Sequence, residues 1–290
     1  MSNIQITENG AGKYSPEWFY SESQTPEWIS FAHKADELRE NFINLFGIER
    51  LKSLSGKDLL TSLFYNDEGT KTNLCYRLEM DKDIREVFGS ISGGAAYKFG
   101  LFYHKKNQSW TCGSPLKPIR LTEDEAIQKA EEMRNDLVEG AEIISSFGPL
   151  DSEEDYEQLY KQLEHIPGIN MVWRMKYYQM LFPTLFAPFY GQDIQLRVLH
   201  FLNQKPSDIP FIRMGQISLY ARKCNVPGVV FAHIYGKNVG YTNETNDSDT
   251  NTLSDKKHKT HYWMYTVFDD KSWNECQQKW NHGFRYGRYW

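Results

Sequence analysis

Gly89–Tyr103 reads GSISGGAAYKFGLFY, four glycines and a lysine ahead of an apolar run. Whether it cradles phosphate or leads into a strand decides how the chain is built. A P-loop requires G-x-x-x-x-G-K-[ST], because backbone N–H groups hold the phosphates, the lysine reaches the terminal ones and the hydroxyl holds Mg²⁺. Here Lys98 is followed by Phe99, and the residues beyond alternate like a strand instead of opening a capped helix. Gly89, Gly93 and Gly94 do not make the G-x-G-x-x-G of a dinucleotide-binding turn either. The glycines therefore predict a bulge or sharp bend where a strand begins.

Outward from this stretch, Asn73–Glu79 and Phe88–Trp110 carry short alternating runs. The KKNQ segment between Phe99–His104 and Ser109–Cys112 predicts strands joined by a hairpin. Thr122 and Glu125 then form a capping box, and Ile127, Ala130, Met133, Leu137, Ala141 and Ile144 recur at helical spacing to about Ser146. Ser152 and Asp155 open a second helix carrying Tyr156, Leu159, Tyr160 and Leu163. Pro26–Leu54 predicts one or two amphipathic helices through Phe31, Leu38, Phe42, Leu45 and Phe46. From Gly168 to Gly236 the pattern stays helical in short pieces punctuated by prolines.

The fold expected is α+β: a small mixed or antiparallel sheet with packed helices, a mostly helical half, and a short aromatic-rich strand segment at the C-terminus. The division is a flexible N-terminus (1–25), an α+β body (26–236, its sheet part near 70–115 and its helical part near 120–236), a polar linker (237–260) and a final module (261–290). Asn238–Thr260 is almost without large apolar residues and has too little to bury to fold alone.

At 290 residues, with 40 % hydrophobic and 15 % aromatic content, the chain has enough material for about two domains. Its net charge of −5 gives no global attraction to nucleic acid, so any such binding requires a local basic patch. One exists after residue 255, where Lys256, Lys257, Lys259, Lys271, Lys279, Arg285 and Arg288 face only Asp269, Asp270 and Glu275. Trp263, Trp273, Trp280 and Trp290 fall in the same stretch. Four cysteines without a C-x-x-C, no signal-peptide pattern and no apolar run of membrane length point to a cytoplasmic chain with no membrane partner.

The order NLCYRLEMD (Asn73–Asp81), GSISGGAAYKFGLFY, WRMKYYQMLFP (Trp173–Pro183), FAHIYG (Phe231–Gly236), a linker, then HYWMYTVF with Trp273 resembles the N-terminal region of McrB-like AAA+ GTPases. These are the motor subunits of modification-dependent restriction systems. The resemblance spans about residues 26–275. It implies a non-catalytic DNA-recognition or specificity module in phage defence, working with an AAA+ motor domain or subunit and a nuclease subunit, and needing no cofactor of its own. His261–Trp273 is also similar to the start of EVE-like small barrels that hold a flipped, modified base in an aromatic cage. That likeness implies Trp263, Tyr265 and Trp273 as cage candidates, although only the beginning of such a barrel precedes Trp290. Lys256, Lys257 and Lys259, with Arg174 and Lys176 beside the aromatic pair Tyr177–Tyr178, are the candidate DNA contacts.

Other chemistry is set against plainer readings. His258, His261, Cys276 and His282 are zinc-ligand types, but their spacing fits no common finger, so no metal site is expected. Asp255, Asp269 and Lys271 echo the carboxylate-and-lysine set of metal-dependent nucleases, while Asp269–Ser272 also reads as a turn. Tyr177–Tyr178 and Phe182–Phe189 read as a stacking platform or as core; helical context favours core. A protein-interaction module of a defence complex is the alternative to DNA recognition, and an unrecognised nuclease is the third reading.

Overall fold

Thr122 begins the longest helix among the described residues, as the capping box requires. The Thr122 hydroxyl accepts the Glu125 N–H at 3.3 Å, and the Glu125 carboxylate accepts the Thr122 N–H at 2.8 Å. The computed structural model describes residues 14–64, 72–91, 100–104, 107–114, 117–167 and 172–240, all within the unit Met1–Tyr241. In chain order the helices ahead of the sheet are α1 (Pro16–Ser23), α2 (Pro26–Phe46), α3 (Ile48–Ser53), α4 (Gly56–Leu63), α5 (Leu74–Glu79) and α6 (Lys82–Phe88). Strands β1 (Leu101–His104), β2 (Ser109–Ser114) and β3 (Lys117–Leu121) follow. The chain then continues through α7 (Glu123–Ser146), α8 (Glu153–Leu163), α9 (Val172–Leu181), α10 (Gln192–Phe201), α11 (Pro210–Lys223) and α12 (Gly228–Tyr235). The described residues are thus mostly helical with one small antiparallel sheet, an α+β arrangement.

The sheet has the order β1-β2-β3, with Leu101 opposite Cys112 and Cys112 opposite Ile119. The hairpin expected around residues 99–112 is β1 and β2; β3 was not expected. Leu101 and Trp110 join the core, and α7 lies against all three strands. α7 also packs on α3, α4, α8 and α9, burying Ala126, Ala130, Met133, Leu137, Ala141 and Ile144. α9 is central, in contact with α2, α5 and α7, while α11 joins α8, α10 and α12.

Three expectations are corrected. Asn73–Glu79 is a helix start and not a strand: Asn73 Oδ1 accepts the Tyr76 N–H at 2.8 Å, and Leu74 and Leu78, four apart, are both buried. A short alternating run fits one and a half helical turns equally well, and the cap decides. Within the N-terminal stretch expected to be flexible, α1 forms, with Ser15 capping, Pro16 in the first turn and Phe19 fully buried against Phe231. At the other end α12 runs on into a π turn, Gly236–Gly240, so the body extends into the stretch expected as linker. Lys237 there reaches the Glu27 carboxylate at 2.8 Å.

Gly89, the first glycine of the opening stretch, follows α6 at φ +76°. A side chain is strained in that conformation, and a Cβ would stand 3.4 Å from the Pro188 carbonyl oxygen. Gly93, Gly94 and Lys98 lie outside the described residues.

Candidate functional site

Every side chain from Trp173 to Met180 is buried. A helix enclosed on all sides must find internal partners for its polar groups, since an unpaired buried charge is costly. Arg174, 3 % exposed, places Nη2 3.2 Å from the Asp136 carboxylate of α7. Lys176, fully buried, donates from Nζ to the Gly89 carbonyl at 2.6 Å. The Tyr177 hydroxyl donates to the Phe46 carbonyl at 2.8 Å, whereas the Tyr178 hydroxyl is buried without a partner. Burial raises the pKa of both tyrosines well above the ordinary phenol value.

Arg174 and Lys176, expected as surface DNA contacts, are therefore inside the fold, one paired with α7 and the other holding the turn after α6. Tyr177, Tyr178, Phe186 and Phe189 are core and not an open stacking platform. The remaining predicted site residues, Lys256, Lys257, Lys259, Trp263, Tyr265 and Trp273, lie outside the described residues. So do the zinc-type set and the nuclease-like set. Among the described residues no three His, Cys, Asp or Glu side chains are grouped to hold a metal, and no helix is long and apolar enough to cross a membrane.

A cleft that sequence reading missed opens between α2, the Pro183–Ala187 segment and the junction of α11 with α12. Its volume is about 540 Å³. Ala35, Phe88, Ala187, Ala221 and Val226, all buried, supply apolar lining. The junction is set by a Schellman ending of α11. Asn225 sits at φ +54° with its N–H on the Arg222 carbonyl at 2.8 Å, and the Val226 N–H bonds the Ala221 carbonyl at 3.1 Å. Pro227 then occupies the N-cap of α12, which starts without a capping side chain.

Two guanidinium groups and one carboxylate line the same cleft. Arg222 is held by both Nη atoms: it donates to the Thr184 carbonyl at 3.2 Å, to the Leu150 carbonyl, and at 3.5 Å to the Tyr156 hydroxyl. Tyr156 in turn donates to the Leu185 carbonyl at 2.5 Å, and burial pushes its pKa up to about 12. Arg39 is different. Its Nη2 is 3.7 Å from Asp36, beyond hydrogen-bond range, and its Nε is buried with no partner. The Ser218 hydroxyl is occupied, accepting the Ala187 N–H and donating to the Met214 carbonyl, both at 2.7 Å. This arrangement suits binding of an anion with an apolar body. Asn225-Val226-Pro227 was the one local signal available, because it marks a helix stop. The meeting of Arg39 with Arg222 has no local signature.

No protein-family model, curated protein or solved structure matches the chain.

Proposed function

We propose that the chain is a non-catalytic DNA-recognition module of a McrB-like restriction system, acting in the cytoplasm with an AAA+ motor and a nuclease supplied by other domains or chains. The observation that carries this reading is the coincidence, after residue 255, of seven Lys and Arg against three Asp and Glu with four tryptophans, in a chain whose net charge is −5. Phosphate neutralisation needs such a local excess of cations, and a sequence-tolerant or modified-base grip needs aromatic faces; stacking contributes roughly 1–3 kcal/mol per base. Lys256, Lys257 and Lys259 are assigned to the phosphates, and Trp263, Tyr265 and Trp273 to the base. The helical body is the scaffold.

Fluorescence anisotropy of the full chain with methylated and unmethylated duplexes, at two salt concentrations, tests this. Replacing Lys256, Lys257 and Lys259 together by Gln weakens binding to every sequence and flattens the salt slope by up to roughly 3 units. Trp263→Ala removes preference for the modified base, and Lys176→Met lowers stability with the salt slope unchanged. Failure of the full chain to bind at low salt would sink the proposal. The second reading, a protein-interaction module of a defence complex without DNA contact, is favoured by the net charge of −5.

A further inference from the structure

We infer that the cleft between α2, the Pro183–Ala187 segment and the α11–α12 junction binds a small amphipathic anion, an apolar body carrying one carboxylate, with Arg39 as the group that captures the charge. This site is independent of the DNA reading and lies wholly within the helical body.

The division of labour between the two arginines carries the assignment. A guanidinium has five N–H donors in a fixed fork that matches a carboxylate. Arg222 directs its donors at two backbone carbonyls and a tyrosine hydroxyl, so it ties Leu150, Thr184 and Tyr156 together and forms a fixed wall. Arg39 makes no such bonds. Asp36, one turn away on the same helix, is 66 % exposed and 3.7 Å distant, while Arg39 itself is only 24 % exposed. Its Nε is closed to solvent and to any ligand, whereas Nη1 and Nη2 are not closed off in this way and are the donors a ligand can reach. A partly buried guanidinium with unused donors beside an apolar surface is satisfied by a carboxylate whose remaining atoms are apolar. The charges lining the cleft favour the same sign of ligand, two cations against one carboxylate. Gly228 and Val229, in the uncapped first turn of α12, also line it and add partial positive charge. Cleft volume falls within the roughly 300–1,000 Å³ usual for small-molecule sites.

The test uses the full chain and isothermal titration calorimetry with 1-naphthoate as the probe. Neutral 1-naphthamide and inorganic phosphate serve as probes of each half of the recognition alone. Saturable binding of 1-naphthoate is expected, with 1-naphthamide and phosphate each at least about tenfold weaker, because a charge-assisted hydrogen bond and apolar burial are both required. Arg39→Gln weakens 1-naphthoate by about tenfold or more and Arg39→Lys by less. Ala32→Leu, which fills the cleft from α2, abolishes binding, and Arg50→Gln on α3 leaves it unchanged. Thermal melts of each variant separate lost binding from lost folding. Should Arg39→Gln fail to fold, the ratio of naphthoate to naphthamide affinity in the unaltered chain decides the matter. Equal affinities for the two, an unchanged affinity in folded Arg39→Gln, or no binding of 1-naphthoate at millimolar concentration overturns the inference.

Discussion

Helices α7 and α9 pack against each other, yet their sequences inform very differently. α7 buries one stripe of its 24 residues and leaves the others half-buried or exposed, so its period and its cap are written locally. α9 is buried from Trp173 to Met180, and a helix enclosed on all sides has no stripe to display. Its cations looked like surface groups because nothing nearby in sequence says otherwise. The partner of Lys176 is the Gly89 carbonyl, 87 positions away, and that of Arg174 is Asp136, 38 positions away. Amphipathic helices thus carry their own burial pattern, while a central helix takes its pattern from its neighbours.

The sharpest way to break this contrast is at the contact itself. Gly140, in the C-terminal half of α7, is a position where a Cβ would stand 2.0 Å from the Tyr178 hydroxyl oxygen and 2.8 Å from the ring carbon that bears it. Helix propensity alone predicts that Gly140→Ala stabilises by roughly 1 kcal/mol. Overpacking against a buried ring costs about 1–3 kcal/mol, so a net loss of up to about 2 kcal/mol is expected in urea unfolding. A gain instead would mean that α9 does not fit closely on α7.

A smaller effect separates the two adjacent tyrosines of α9. Tyr177→Phe removes a buried hydrogen bond and leaves the Phe46 carbonyl without its donor, at a cost of about 1 kcal/mol. Tyr178→Phe removes a buried hydroxyl that has no acceptor, so stability is unchanged or slightly raised. Paired denaturation curves check both, and equal losses would contradict the assignment of partners.

The smallest effect is an acid-side pH dependence carried by the cap of α7. The Thr122 backbone N–H, and after it the Thr122 hydroxyl, hold the Glu125 carboxyl below its ordinary value of 4.5. A carboxylate with a lowered folded pKa contributes stability that is complete above 4.5 and fades as pH falls through the folded value. Glu125→Gln should therefore give a shallower acid limb in a stability profile from pH 6 to pH 2, and Tyr177→Phe should shift the whole profile without altering that limb. An acid limb unchanged by Glu125→Gln would show that the capping box does not close in solution.

Legibility followed the same division through the rest of the molecule. The capping boxes at Thr122 and Ser152, the β1–β2 hairpin and the proline-punctuated helices beyond Gly168 were readable because each is decided within a few residues. α5 was misread since Asn73–Glu79 is too short for its period to be told from a strand's. α1 was missed because Ser15 and Pro16 are a helix start only if Phe19 has a core to enter, and that core comes from α12. The predicted DNA contacts on α9 were residue types read correctly and places read wrongly. Of the cleft, only the helix stop at Asn225–Pro227 was legible.

By itself the sequence determined the capped starts of α7 and α8, the β1–β2 hairpin, and the concentration of cations and tryptophans after residue 255. These depend on hydrogen bonds and spacings that span at most a turn or two. Tertiary structure alone decided that Lys176 and Arg174 face inward, that Gly140 makes room for Tyr178, and that Arg39 and Arg222 line one cleft. Each of those outcomes joins residues 38 or more positions apart. Burial and charge pairing depend on distance in space, and a chain folded on itself brings together what its order keeps apart.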